Sequence, residues 1–538
     1  MNRYRFKKRG TYSSLQEYVK NKTGKEINQL NQYPEKYYLE KIPLIGEKIK
    51  EAMKKQMKIY VYTDYDVDGI TSAAQIAVMF NYFQYPCTVK IPMRFTDGYG
   101  IRKKHTEQVD QNTLLLLIDN GISAIEAVRE AKKRGAYVII MDHHTADQDS
   151  NGNLIIPDAD ILLDPEALPD GNDFCDYCGS GITNKLINYM IQDKNILSIC
   201  SAFAALGTVA DVVPLREDNR KIVQEGLYAI NKGNITRGLH SIVDCLQMTG
   251  HVTSEDISYY IAPLLNASGR LYDKGGTWSA MALMEKRPDD AVAMAKKLKE
   301  INQERKDVVK FLIDQIKINP TDKMNVICLP DGSPEGCLGL IAGKLTEETG
   351  KPSFVYTKRE GMYKGSARSD NEQDNQVHLM LAGIKTYLAS FGGHPGAAGF
   401  SFSEENESII KEYLLNYPAV PHDNTPYYDL SINPENLVFT LNQMDLCEPF
   451  GKDMEKPVFR IPCYFQNGDY WKSMGEDGTH IRFNLPGKDG AKAVGFSMKE
   501  RYLLEGAPRN IYLYGYPVWN WFRGQRNPQF MIIDFEKI

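Results

Sequence analysis

At 538 residues the chain exceeds what one hydrophobic core supports, so roughly three to four domains are expected. Its 42% hydrophobic and 25% charged content is that of an ordinary globular protein; no apolar stretch approaches a bilayer span and the basic start lacks a following apolar segment, so neither membrane insertion nor secretion is signalled and a cytoplasmic location is expected. A net charge of −5 excludes a coat of basic surface and leaves room for a local basic groove, while nine scattered cysteines read as reduced thiols, with Cys175-Asp176-Tyr177-Cys178 half a zinc site at most.

Residues 1–44 are polar, tyrosine-rich and weakly periodic, an appended helical segment, and a helix over 47–55 feeds the first strand. That strand runs through Tyr60-Val61-Tyr62 into Asp64-Tyr65-Asp66-Val67-Asp68-Gly69. Side chains two apart on an extended segment share a face, so the three aspartates stack negative charge that a hard divalent cation, Mg²⁺ or Mn²⁺, would neutralise. A solvated acidic turn is the competing reading of this segment alone. A second apolar run, Leu114 to Ile118, ends in Asp119-Asn120-Gly121, and a third, Tyr137 to Met141, ends in Asp142-His143-His144. Helical stretches at 71–82 and 123–134 lie between them, so the pattern is βαβ with a parallel sheet and a crevice beyond the carboxyl ends of its strands. Asp66, Asp68, Asp119 and His143 all fall there. A small-residue helix then delivers Asp211, either as a cap or paired carboxylate or, given the other three groups, as a fourth ligand.

The αβ region extends from 45 to 280, and a charged amphipathic connector over 281–319 stops at Asn319-Pro320. A smaller αβ domain follows over 320–405, with strands at 326–329 and 353–357 and a helix at 338–348. It carries Gly365-Ser366-Ala367-Arg368-Ser369 and Phe391-Gly392-Gly393-His394-Pro395-Gly396, where clustered glycines beside Ser366, Arg368 and His394 point to a phosphate grip. Cations that could line a groove are Arg94, Arg102, Lys103, Lys104, Lys344, Lys351, Lys358, Arg359, Lys364 and Arg368. After a connector at 406–430, residues 431–538 form short β runs separated by turns, the pattern of a small barrel such as the OB fold. Trp519, Trp521 and Phe522 beside Arg523 and Arg526 either offer stacking faces and charge to a nucleic acid strand or fill the barrel's core and rim.

From about residue 40 to 535 the sequence resembles the DHH phosphoesterase superfamily, and within it the RecJ single-strand-specific exonucleases. The resemblance rests on the motifs beginning at Asp64, Ile118 and Asp142, on Gly207-Thr208-Val209-Ala210-Asp211, Asn266-Ala267-Ser268-Gly269-Arg270 and Gly392-Gly393-His394, and on Glu448-Pro449-Phe450-Gly451. It implies an α/β architecture of two αβ domains, DHH and DHHA1-like, joined by a long helix and followed by an OB-type β-barrel. It implies a two-metal site in which Asp66, Asp68, Asp119, His143 and Asp211 ligate, Asp119 bridging, with Asp64 and His144 supporting; the imidazole favours Mn²⁺ over Mg²⁺. Asn266, Arg270, Ser366, Arg368 and His394 would hold substrate phosphates, with Arg94 a further candidate.

The implied activity is 5′→3′ hydrolysis of single-stranded DNA to mononucleotides in repair and recombination, with a single-strand-binding protein and a helicase as the partner classes and no membrane. A phosphodiesterase of short oligonucleotides or cyclic dinucleotides and a non-catalytic repair scaffold are the rival readings. Two departures stand out: Ser333-Pro334-Glu335-Gly336 replaces the Trp-His pair usual in relatives, and Tyr62 sits where many DHH enzymes place a histidine.

Overall fold

The computed structural model describes residues 6–10, 12–32, 39–149, 151–169, 174–248, 250–359, 361–420, 425–466, 470–487, 490–522 and 525–538. The first large sheet has five parallel strands, β1 (Lys58–Tyr62), β2 (Cys87–Lys90), β3 (Thr113–Ile118), β4 (Tyr137–Met141) and β5 (Ile161–Leu163), in the order β2-β1-β3-β4-β5. Alternate residues supply two cores: Ile59, Val61, Leu114, Leu116 and Ile139 face one helical layer, and Tyr60, Tyr62, Leu115, Leu117 and Ile140 face the other. The chain leaves β1 in opposite directions to reach β2 and β3, so a crevice opens beyond the ends of β1 and β3.

The aspartate run does not stay extended, as its two-residue spacing suggests. The strand stops at Tyr62, and helix α1 (Val67–Tyr82) begins inside the run because the Asp66 carboxylate accepts from the backbone N–H groups of Asp68 and Gly69, at 3.0 and 3.2 Å. Asp68 therefore lies in the helix's first turn. Gly69 is obligatory there, since a Cβ would lie 2.4 Å from the Asp64 carbonyl oxygen.

The expected connector over 281–319 is broken in two. A helix over Gly275–Met284 ends, and a longer one over Pro288–Asp314 starts with proline at its first turn after an extended Arg287. The second αβ unit has strands β6 (Asn325–Cys328), β7 (Ser353–Arg359), β8 (Met362–Arg368), β9 (Ser390–His394) and β10 (Ala397–Ser403), ordered β9-β10-β8-β7-β6. Only the β6–β7 pair is parallel.

The C-terminal sheet has seven strands, the two longest being the hairpin β11 (Asn510–Phe522) and β12 (Gln525–Lys537). The beginning of the chain packs onto this unit through a separate two-stranded sheet and a shared core. Lys7–Lys8 pairs in parallel with Tyr427–Tyr428, and Leu15, Tyr18 and Val19 pack into one core with Leu441, Phe459, Ile511 and Phe530. Arg9 clamps the buried Asp429 through Nε and Nη2, at 2.8 and 3.3 Å. This unit is tied to the first αβ unit by Arg220, whose guanidinium donates to the carbonyls of Cys447, Glu448 and Pro449 at 2.7, 2.7 and 2.8 Å. Among the described residues no helix is long and apolar enough to cross a membrane.

Candidate metal centre

Six side chains converge beyond the ends of β1, β3 and β4. His143 Nε2 lies 3.1 Å from Asp119 Oδ1 and 3.5 Å from Asp68 Oδ2, and its Nδ1 lies 3.8 Å from Asp211 Oδ2. Asp64, Asp66 and Asp119 form a second group with ligand atoms within 4.8 Å of one another, so Asp119 belongs to both clusters. Each residue is placed by its own local cause. Asp119 follows the central strand β3 with φ of 60°, in the left-handed region. Asp211 is the residue that closes the helix Lys194–Ala210. Asp68 accepts from the backbone N–H of Gly179 and Ser180, both at 2.7 Å, at the start of helix α2 (Gly179–Met190), whose positive end favours the carboxylate.

Burial first, and then the neighbouring carboxylates, raise the pKa of Asp64, Asp119 and Asp211 well above the ordinary range and also raise that of Asp66. Burial, and then positive His144, pull His143 down to about 4, leaving a neutral imidazole able to ligate. Asp64 Oδ1 is buried without a hydrogen-bond partner. An orphaned carboxylate oxygen among mutually repelling acids is what a divalent cation satisfies, and the oxygen-rich, one-imidazole donor set suits Mn²⁺ or Mg²⁺. Asp64 is thus as well placed to ligate as Asp66, one of whose oxygens caps α1.

Asp142 and His144 do different work. Asp142 is fully buried and accepts from the backbone of Ile122 and His143 and from His144 Nδ1, the last at 2.7 Å. Burial alone would raise Asp142 and lower His144; their hydrogen bond and opposite charges instead hold Asp142 down to about 2 and His144 up to about 9. The Tyr99 hydroxyl lies 3.1 Å from both ring nitrogens of His144, a contact invisible in the sequence because Tyr99 sits in a loop. Tyr62 faces away, its hydroxyl 3.1 Å from His105 Nδ1.

Arg94, Arg270 and Arg368 gather where the two αβ units meet, and the structure adds Arg305 from the connecting helix. Arg94 stacks 4.6 Å from the Tyr65 ring, Arg270 donates to the Gly336 carbonyl at 3.0 Å, and Arg368 donates to Ser366 Oγ at 3.0 Å. Burial, then Arg94, lowers Arg270 to about 10, with Arg305 and Arg368 adding to the effect. Arg305 Nε is buried without a partner, and among the described residues none of the four forms an ion pair. In the sequence Arg305 is one unmarked charge of an amphipathic helix. Asn266 stands one turn before Arg270 on helix Ala262–Leu271, and His394 ends the edge strand β9.

The C-terminal aromatics are engaged within the protein. The Trp519 indole N–H reaches both Asp445 oxygens at 3.1 Å, Arg526 reaches Asp445 at 3.0 Å and lies 4.3 Å from the Trp519 ring, and Trp521 covers Gly250 of the catalytic unit. Arg523 and the Phe522 side chain lie outside the described residues.

Two αβ units meeting at a cluster of aspartates and a histidine define the class of DHH phosphoesterases, and the family comparison agrees. The DHH family, N-terminal domain matches residues 58–208, the DHHA1 domain 321–415 and the RecJ OB domain 428–534. The chain thus carries a DHH N-terminal domain, a DHHA1 domain and a RecJ OB domain in that order, and is similar to RecJ over most of its length. It is 27% identical to the single-stranded-DNA-specific exonuclease RecJ of Bacillus subtilis over 91% of its own length, and 26% identical to that of Haemophilus influenzae, covering 91% of this chain and 89% of the relative. It spans 62% of the Bacillus subtilis relative and 63% of the Thermus thermophilus one. Its fold matches the crystal structure of Thermus thermophilus RecJ in complex with Mn²⁺ with a TM-score of 0.74 at 24% identity, covering 93% and 72% of the two chains. A crystal structure of exonuclease RecJ bound to manganese matches with a TM-score of 0.60 at 26% identity, over 71% of this chain and 96% of that one.

Proposed function

We propose that the protein is a divalent-metal-dependent exonuclease that hydrolyses single-stranded DNA from the 5′ end to mononucleotides, in DNA repair and recombination. The observation that carries this reading is the pairing of the carboxylate cluster with a polar sheet face that is open along β9 and β10, the helix Leu338–Thr349 covering its β7 side. Directly opposed residues of antiparallel strands share a face. Arg368, Ala397 and His394 form one row; Ser366, Gly399 and Gly392 the next; Lys364, Ser401 and Ser390 the third. The opposite face, with Ala367, Ala398, Phe400 and Phe402, is buried in the core. A Cβ on Gly392 or Gly399 would meet nothing within 4 Å, so the glycine row leaves a shelf on which an extended strand can lie.

A pair of divalent ions held by Asp64, Asp66, Asp68, Asp119, His143 and Asp211, Mn²⁺ preferred over Mg²⁺, would supply the Lewis acidity that activates water and neutralises the scissile phosphodiester. The chain's own groups do the rest. Four guanidiniums that form no ion pair among the described residues, Arg94, Arg270, Arg305 and Arg368, would anchor a strand-end phosphate, and Ser366 would donate to it. Asp142 and Tyr99 hold His144 facing the cleft, where its proton is available to the leaving oxygen. Digestion of 5′-labelled single strands of graded length, with each end blocked in turn, tests the reading. Release of mononucleotides from an open 5′ end with Mn²⁺ is expected; preference for dinucleotides or digestion from the 3′ end overturns it.

A further inference from the structure

We infer that Glu335 is an internal counter-charge that occupies, in the free protein, the place a substrate phosphodiester takes on Lys364 and Arg359, and so weakens the grip on strands long enough to have to displace it. The inference rests on the nucleic-acid reading of the shelf. Glu335 Oε2 lies 2.8 Å from Lys364 Nζ and Oε1 lies 3.4 Å from Arg359 Nη1. The carboxylate side chain is only 12% exposed, while Lys364 and Arg359 are 48% and 50% exposed. The cations therefore keep a side open to solvent, and the group that neutralises them is tucked beneath.

Position makes this pairing more than a surface ion pair. Lys364, Ser366 and Arg368 alternate along β8 on the face of the shelf, each step about 6.7 Å, so Lys364 continues outward the line that Arg368 begins. The inner end of that line has four guanidiniums and, among the described residues, no carboxylate partner; the outer end has two cations and one carboxylate. Glu335 also sits in the turn Glu335–Cys337, whose Gly336 carbonyl receives Arg270, so the counter-charge is fixed to the inner cluster rather than to a loose loop. One carboxylate against two cations leaves a net positive charge that still attracts a phosphate, and a half-exposed pair is weak enough to be exchanged. A strand of two or three nucleotides, held at the inner cluster, does not extend to this exchange.

The test uses Mn²⁺-loaded full-length protein and the initial release of a 5′-labelled nucleotide from oligothymidylates of 3 and 12 residues. Glu335→Gln is expected to lower KM for the 12-mer by about three- to tenfold with little change in kcat, to leave the 3-mer unchanged, and to steepen the salt dependence of kcat/KM by about one unit of log–log slope. Lys364→Ala is expected to change KM for the 12-mer less than about twofold in the parent but about fivefold in the Glu335→Gln background. Glu335→Ala gives the same readout should the glutamine variant fail to fold. An unchanged or raised KM for the 12-mer, or an equal effect of Lys364→Ala in both backgrounds, overturns the inference alone. Failure of the parent protein to cleave either oligonucleotide overturns the nucleic-acid reading itself.

Discussion

A Cβ added to Gly179 would lie 2.6 Å from the Cβ of Asp119. The residue shared by both ligand groups is thus wedged against the first turn of α2, and the same turn supplies the two N–H groups that hold Asp68. One helix N-terminus thus positions two of the six candidate ligand side chains.

Gly179→Ala is therefore expected to displace Asp119, already in the left-handed region, and to weaken Mn²⁺ binding by about tenfold to a hundredfold while the fold persists. Isothermal calorimetry with Mn²⁺, beside circular dichroism of the same sample, checks this; unchanged affinity would show that the turn gives way without moving the carboxylate.

Asp64→Asn removes a buried acid whose pKa is raised by burial and by Asp66. Without metal the variant should unfold at a higher temperature than the parent above neutral pH, because the parent must bury the ionised form. With Mn²⁺ at about a hundred times the parent's dissociation constant, the parent gains about 2.7 kcal/mol and the variant loses most of that gain. Thermal melts with EDTA and with Mn²⁺ read both signs.

Asp164 gives a pH-dependent case away from the ligands. It is fully buried, Oδ1 accepts from the Ala167 N–H at 3.0 Å, Oδ2 has no partner, and burial pushes its pKa up to about 7. A carboxyl raised in the folded state contributes favourably below its unfolded value near 4, and that contribution is lost as pH rises toward 7. Between pH 5 and pH 8 the parent should lose about 2 kcal/mol relative to Asp164→Asn. Melting temperatures of the two proteins across that range should diverge upward in pH; parallel curves would refute the assignment.

Arg220→Ala removes the donor to three carbonyls, of which that of Glu448 keeps Gln224 Nε2 at 3.0 Å, and is expected to cost about 2–3 kcal/mol at the junction of the first αβ unit and the C-terminal unit. Cleavage of the 12-mer should fall more than cleavage of the 3-mer, and limited proteolysis should cut near residue 450 sooner. Equal losses on both substrates would place the effect in the catalytic unit instead.

Trp519→Ala should lower the stability of the C-terminal unit by about 1–2 kcal/mol, since it opens the closed contact with Asp445 and Arg526, and change single-strand affinity less than about threefold. A larger loss of affinity than of stability would restore Trp519 as a stacking face.

Local periodicity and side-chain chemistry were enough to read the sheet and to bring most of the acidic cluster to one end of it. Leu114 to Ile118 and Tyr137 to Met141 could only be buried strands, and the acids and imidazoles at their ends had to share a crevice because parallel strands share a direction. What depends on segments far apart in the chain became visible only once it was folded. Asp68 is a helix residue held by Gly179, 111 positions later, which an i, i+2 pattern cannot reveal. Arg305 joins Arg270 only because its helix crosses the junction of two units, and an amphipathic pattern does not say which of its charges will be buried. The start of the chain, polar and weakly periodic, completes the core of the C-terminal unit, where Tyr18 and Val19 are wholly buried. Whether Trp519 and Trp521 stack on a strand or fill the barrel's core and rim stays open in the sequence, because composition shows an aromatic face and not what covers it. The physical reason is the same in each case: a side chain's type fixes which partners it can satisfy, whereas only the folded chain brings one particular partner within reach.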